Sequence, residues 1–292
     1  SLHDALPILK PNFVVASPAV TAINTNPDFI AAVVEILSDY GCSIAIGDSP
    51  MIGTAEAASR ALGLYESLKK YDVKYMTFQN PVPAMKENDR LKNRIFKELN
   101  IAGELNEYDK MINLPKLKTH AQMGMSLATK NLYGCVVGKE KRRWHFITGN
   151  SMKFARLLVE VSQSVAPTLN ILDGIEGMDL MGPTNGRKRK TNVILASTNC
   201  IALDRAVVEL IKKKPSSIPI FKAAEDLSLT GTDIKKINIA GDRIEDCYIK
   251  NFELLNILPT DFIGVNFLGK PFKRMVTQRI VIDQEKCKRC RR

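Results

Sequence analysis

The chain has 292 residues, 45% of them hydrophobic and 25% charged, a composition that supports one large or two modest globular domains. No apolar run approaches the roughly 18 residues of a membrane span, and the N-terminus lacks the basic and apolar regions of a secretory signal. The net charge of +11 admits nucleic acid, an anionic surface or a small anion as partner. However, the runs "KEKRR" at 139–143 and "RKRK" at 187–190 lack interleaved aromatics and read as solvated loop charge, which disfavours nucleic acid.

In chain order, "SLHDALPI" resembles translated sequencing-adapter read-through, so residues 1–8 are expected to be a non-native leader. "ILKPNFVV" reads as a buried strand. Pro27 opens a helix through "PDFIAAVVEILSDYG", with Gly41 as its stop. "CSIAIGDSP" is a strand ending in a polar turn, and "TAEAASRALG" a helix with Thr54 as N-cap. "VKYMTF" and "KMINLPKL" supply further strands. A basic loop around 139–147 precedes an amphipathic helix, "SMKFARLLVEVSQSVA". "LNILDGI", "TNVILAS" and "KINIAG" read as strands, with "CIALDRAVVELIKKK" a helix between the last two. This alternation predicts an α/β fold with a mainly parallel sheet and helices on both faces, over a core domain of 9–279.

In such sheets ligands collect beyond the carboxyl ends of the strands. Lys10 and Asn12, Asp48 in "GDSP", the "KLKTH" block and Asp173 all follow or end apolar runs. If the strand from Ile112 continues, Lys116, Lys118 and His120 share one face at a period of two and form an anion site. Ser126 and Lys130 are four apart and would share a face of a following helix. A lysine desolvated among cations becomes a nucleophile or base; a histidine there is a base or a metal ligand. The alternative is an exposed basic surface with a structural histidine. Asp48 reads equally as a turn-capping residue, and "GPTNG" at 182–186 as a phosphate loop lacking the P-loop ending. Asp204 would favour a helix dipole. His145 is either a second imidazole for the site or an exposed residue.

Cys42, Cys135, Cys200 and Cys247 are isolated in the sequence and read as small hydrophobes of a reducing cytoplasm. Cys287 and Cys290 form a Cys-x-x-Cys after a β-like run and acidic residues, the opening of many bacterial ferredoxin modules. Such a pair serves zinc, a redox disulfide or an iron–sulfur cluster. Residues 280–292 therefore read as the start of a ferredoxin-like 4Fe–4S module that a chain ending at Arg292 does not complete.

Taken together, "LKPN", "TNPDFIAAVVEIL", "IGDSP", "LPKLKTHAQMGMSLATKNLYG", "LNILDGIEGM", "GPTNG" and "ALDRAVVEL" resemble, in this order, the domain-of-unknown-function family 362. The resemblance implies association with 4Fe–4S clusters and no particular reaction. It makes His120, Lys130 and Asp48 the candidate catalytic residues. Lys10, Asn12, Lys116, Lys118, Ser126, Asn131 and Asp173 become candidate ligand-binding residues. The expected partners are a small anionic ligand and a redox partner protein. The segment from His120 to Lys130 is also similar to part of the nickel-pincer lactate racemases. That similarity implies Lys130 as the attachment point of a nickel-containing cofactor with His120 beside it, although Leu127, Ala128 and Thr129 replace the glycine-rich flank of that lysine. Three functions remain open: electron transfer to a bound anion, a racemase- or isomerase-like reaction, and anion binding without catalysis.

Overall fold

The computed structural model describes residues 5–84 and 93–255, all of which belong to one compact unit. Cys287 and Cys290, with the rest of the ferredoxin-like segment, lie outside the described residues. An eight-stranded sheet contains β1 (Pro7–Pro11), β2 (Ile44–Asp48), β3 (Val73–Thr77), β6 (Lys110–Leu114), β7 (Lys116–His120), β8 (Gly124–Ser126), β9 (Leu169–Asp179) and β10 (Arg187–Ser197). A separate antiparallel pair joins β4 (Pro81–Pro83) to β5 (Asn100–Ala102). The helices are α1 (Pro27–Asp39), α2 (Ala55–Ala61), α3 (Leu64–Ser67), α4 (Ala128–Asn131), α5 (Lys139–Thr148), α6 (Ser151–Val165), α7 (Cys200–Leu210) and α8 (Pro219–Asp226).

Strands β3, β2, β1, β6 and β9 run parallel, and β7 is parallel to β9. Strand β10 pairs antiparallel along the length of β9, so β6 and then β7 share the other edge of β9. Residues 110–120 thus form one extended run interrupted at Pro115, which has no N–H to offer a ladder. The register against β9 slips between Lys116 and Lys118. This irregularity lies where the polar residues gather.

Alternation along the strands divides the core. Leu9, Ile44, Ile46, Ile112 and Leu114 face α1, α2 and α3; Ile8, Ala45 and Met111 face the cluster of α4, α6, α7 and α8. A strand buried on both faces must be apolar at odd and even positions alike, and these are. Each large aliphatic side chain so buried contributes about 1.5–3 kcal/mol. The caps follow local chemistry: Asn26 accepts from Asp28 N at the start of α1, and Thr54 from Ala57 N at the start of α2. Asn150 does the same for Lys153 N in α6. Among the described residues no helix is long and apolar enough to cross a membrane.

Several sequence expectations are corrected. The basic stretch 139–147 is helix α5 rather than a loop, because Trp144 buries its ring on one face while Lys139, Arg142 and Arg143 remain exposed. "RKRK" belongs to strand β10, where carboxylates on and around β9 neutralise it. "KINIAG" forms no strand; Ile234–Lys236 is a short 3-10 turn, and the following residues join no ladder. "GPTNG" is the connection of the β9–β10 hairpin. Strand β1 begins at Pro7, so Pro7 and Ile8 of the suspected leader are buried in the sheet. Ser126 lies in β8 and Lys130 in α4, so they do not share a helix.

Candidate functional site

The order of the sheet reverses around β1. Strands β2 and β3 lie on one side and β6 on the other, and the crevice at the carboxyl ends of β1 and β6 is the switch point where open α/β sheets hold ligands. Lys10 is fully buried here, with Nζ 2.8 Å from Asp48 Oδ1 and 2.9 Å from the Pro11 carbonyl it donates to. Asp48 is fixed in turn by the backbone N–H groups of Phe13 and Ser49, at 2.9 and 2.7 Å. It is therefore an ion-pair partner with a cap-like backbone grip. Gly134, in the 3-10 turn Leu132–Cys135, lies against this pair. A Cβ there would run into Asp48 Oδ1 and Lys10 Nζ, so a larger residue would have to displace this buried ion pair.

Strand β7 brings two more lysines under cover. Lys116 is 1% exposed and reaches Asp173 Oδ2 at 2.7 Å, an oxygen that also accepts from Asn26 N at 2.8 Å. Lys118 is fully buried and donates to Asn12 Oδ1 at 2.6 Å and to the Ile23 carbonyl. Those acceptors are neutral. Lys118 touches the 12–26 segment directly and Lys116 through Asp173, and both are buried, so the exposed-surface reading fails.

From Lys118 a line of amides crosses the crevice. Asn12 Nδ2 donates to Asn131 Oδ1 at 2.7 Å, Asn131 Nδ2 to Asn113 Oδ1 at 2.7 Å, and Asn113 Nδ2 to Asn170 Oδ1 at 2.8 Å. The Cys200 thiol ends the line, 3.3 Å from Asn170 Oδ1. A buried amide costs free energy unless both of its ends are paired, and each of these amides bonds to the next. Asn113 and Asn170, which sequence reasoning missed, sit inside apolar strands; that placement was the available signal.

Lys130 and Asn131 close helix α4, whose first N–H groups are held by Asp204 of α7. Asp204 Oδ1 accepts from Ala128 N at 2.7 Å and Oδ2 from Thr129 N at 3.0 Å. Asp204 thus serves a neighbouring helix rather than the dipole of its own. Burial raises its carboxyl to about 7, against the lowering effect of the hydrogen bonds from Thr129 and Ala128. Lys130 is half-buried. Burial first, then the charges of Lys141 and Lys10, bring its amine down to about 8. Lys141 of α5 donates to the Ser49 carbonyl. Burial brings it to about 8 as well, with Asp48 opposing and Lys10 adding to the effect. Lys118 is held well below the usual lysine range by burial and by the charges of Lys130 and Lys116. His120 accepts at Nδ1 from the N–H groups of Gln122 and Met123, at 3.2 and 3.3 Å. Its imidazole is kept well below the ordinary value by burial, then by Lys130 and Lys118. His145 packs on Phe154 and Tyr133, and burial with the charge of Lys130 lowers it too.

The expected residues Lys10, Asn12, Asp48, Lys118, His120, Lys130 and Asn131 therefore converge, while Lys116 and Asp173 form a closed pair beside them. Ser126 is buried opposite Lys118 on β8. Lys141 was missed because its run read as a loop. Among the described residues no group of three or more His, Cys, Asp or Glu side chains could hold a metal ion. Burial also pushes the Cys135 thiol up to about 12 and that of Cys200 higher still, so neither is an available thiolate. The described part thus contains no cysteine set suited to an iron–sulfur cluster. A separate cleft of about 360 Å³ lies between β10, α7 and the 237–247 segment, lined by Val193, Leu195, Ala206 and Ile244, away from these lysines.

With the geometry in view, comparison with known proteins is informative about ancestry. A thylakoid-associated protein of Synechocystis sp. is 32% identical over 268 residues, covering 91% of this chain and 81% of its own. Two solved structures are distant. The lactate racemase apoprotein of Thermoanaerobacterium thermosaccharolyticum has 8% identity and a TM-score of 0.44, over 68% of this chain and 46% of that one. A Thermotoga maritima structural-genomics protein has 12% identity and a TM-score of 0.40, over 78% and 55%. Both scores are too low to carry chemistry. The family model described as Domain of unknown function (DUF362) matches residues 8–209, which span the sheet, the lysine-rich crevice and the α7 aspartate, and the chain belongs to that family.

Proposed function

We propose that the α/β domain binds a small anion at the carboxyl ends of β1 and β6, within a redox protein whose Cys287 and Cys290 begin an iron–sulfur module. One observation carries the anion site. Lys118, Lys130 and Lys141 gather in a desolvated crevice, and the carboxylate that reaches Lys118 and Lys141, Asp48, is already bonded to Lys10. Buried cations without counter-charges are costly, and an anion entering the crevice would offset that cost. Asn12 and Asn131 would orient it, since each carries a two-sided amide held by the protein.

Titration calorimetry with inorganic phosphate and with malonate tests the site. Binding should weaken as salt is raised, and Lys118→Met should reduce affinity by about tenfold or more. Failure of both anions to bind at low salt would remove the proposal. The redox part rests on the Cys-x-x-Cys of the sequence alone. A cluster bound there would supply single electrons. Iron and acid-labile sulfide that persist unchanged when Cys287 and Cys290 are both replaced by serine would exclude it.

A second reading, a racemase- or isomerase-like enzyme, is favoured by His120 and Lys130, whose shifts leave both able to act as bases near neutral pH. An adduct on the protein as isolated, lost in Lys130→Ala by intact mass, would support that reading over electron transfer.

A further inference from the structure

Lys130 differs from the other lysines of the crevice. Lys10, Lys116 and Lys118 are sealed from solvent and spend their hydrogens on protein oxygens. Lys141 donates to the Ser49 carbonyl. Lys130 alone of this group makes no hydrogen bond or ion pair with another described residue, and it is half-buried rather than sealed. It is also held in place, because Asp204 grips the first two N–H groups of its short helix and Asn131 is bonded to Asn113. An amine that is fixed, partly accessible, unpartnered and surrounded by cations is arranged as a nucleophile, since neighbouring positive charge favours its neutral form. The same cations would hold a carboxylate or phosphate next to it.

We propose that Lys130 forms an imine with a small anionic carbonyl compound, an oxo acid or a phosphorylated aldehyde, whose negative group lies at Lys141, with the sealed Lys118 beneath it. The proposal rests on the anion-binding reading above. In the step, the Nζ lone pair adds to the carbonyl carbon and the C=O π pair moves to oxygen, which takes up a proton. The resulting carbinolamine then loses that oxygen. Both hydrogens of the neutral amine leave with it as one water, so a C–N double bond replaces the C–O double bond and nothing is oxidised or reduced. His120 supports the proton transfers. With Nδ1 accepting from two backbone N–H groups, the neutral ring carries its proton on Nε2, the atom left to give or take one.

Glyoxylate with borohydride is the probe, acetaldehyde is its uncharged control, and malonate is titrated separately into unmodified protein. The expected result is a single carboxymethyl group on the peptide containing Lys130, formed about tenfold or more faster than any surface adduct, suppressed by malonate and weak with acetaldehyde. Lys130→Arg should remove it, and mapping on the wild-type protein decides the matter even if that variant folds poorly. Adducts scattered over surface lysines, or none, while malonate still binds, would overturn the imine and leave the anion site standing. No malonate binding would overturn both.

Discussion

Two stretches of this chain are dense in basic residues, and the fold treats them in opposite ways. In "RKRK" at 187–190, strand β10 places Arg187 and Arg189 within 2.8 and 3.3 Å of Asp179, and Lys188 within 2.8 Å of Glu176. Arg187 also reaches Glu253, so three of the four charges have a carboxylate in contact, and they lie partly in water. Around "KLKTH" the lysines are buried, and only Lys10 and Lys116 have carboxylates bonded to them, Asp48 and Asp173. The remaining cations face neutral oxygens or one another. Density of positive charge along the chain is therefore a poor guide to a site. The guide is the balance of counter-charge after folding, and it is set by residues far away in sequence.

The largest expected effect follows from upsetting that balance further. Asp48→Ala removes the carboxylate from a crevice that already has excess positive charge, and it also frees the N–H groups of Phe13 and Ser49. Breaking a buried pair from one side costs about 3–5 kcal/mol, to be read as a fall in the urea midpoint. Lys116→Met should cost a similar amount, because it strands the Asp173 carboxylate, of which Oδ1 already lacks a hydrogen-bond partner among the described residues. Lys118→Met strands only neutral acceptors and should cost clearly less while weakening anion binding more. If Lys116→Met and Lys118→Met lose equal stability, the division between a closed pair and an open site is wrong.

Next in size is Asp204→Ala. It leaves the N–H groups of Ala128 and Thr129 buried and unpaired, at about 1–3 kcal/mol each. Anion affinity should fall with stability, because the helix carrying Lys130 and Asn131 loses its anchor. The wild-type carboxyl, raised to about 7 from an ordinary value near 4, opposes folding as it ionises. Its contribution is therefore most favourable below pH 4 and declines as pH rises through 7. A shallower decline in stability between pH 4 and 7 in Asp204→Ala than in wild type is the corresponding measurement.

Much of this was readable from the residues. The apolar runs gave the parallel strands, Pro27 and Thr54 marked the helix starts, and the period of two in Lys116, Lys118 and His120 survived the kink at Pro115. What escaped was whatever depends on pairing across the chain. Asp204 looked like a helix residue because its partners lie some 75 positions earlier. "TNVILAS" looked like a strand of ordinary length, yet it extends back through "RKRK", where β9 carries Glu176 and Asp179 to receive those charges. "KINIAG" has strand-like alternation but joins no ladder, and hydrogen-bonding partners rather than propensity decide a strand. Lys141 reaches the site through the Ser49 carbonyl, 92 positions earlier, which no local pattern encodes.

A moderate effect is expected from pH. Lys130 and Lys141, both near 8, carry charge below that value and lose it above. Anion affinity should be highest below pH 8 and fall as pH rises through it, by up to about tenfold per pH unit for each lysine whose proton the ligand requires. The unliganded protein should respond with the opposite sign. Both groups lie below their unfolded values, so the folded state sheds protons first, and stability gains from them as pH goes from 8 towards 10. Affinity that stays flat from pH 7 to 9 would mean that neither lysine touches the anion.

The smallest effect belongs to the hairpin, and it is the control for all the others. Lys188 and Glu176 are both partly exposed, and their pair can exchange with water and salt. Such a pair contributes about 0–1 kcal/mol, so Lys188→Ala should move the urea midpoint little and leave phosphate and malonate affinity as they were. The substitution lowers the net charge by as much as Lys118→Met does. If anion binding depended on the overall charge of +11, the two variants would weaken it equally. If it depends on buried lysines that folding has left without a bonded carboxylate, only Lys118→Met will, and the salt dependence of the Lys188→Ala protein should superimpose on that of the wild type.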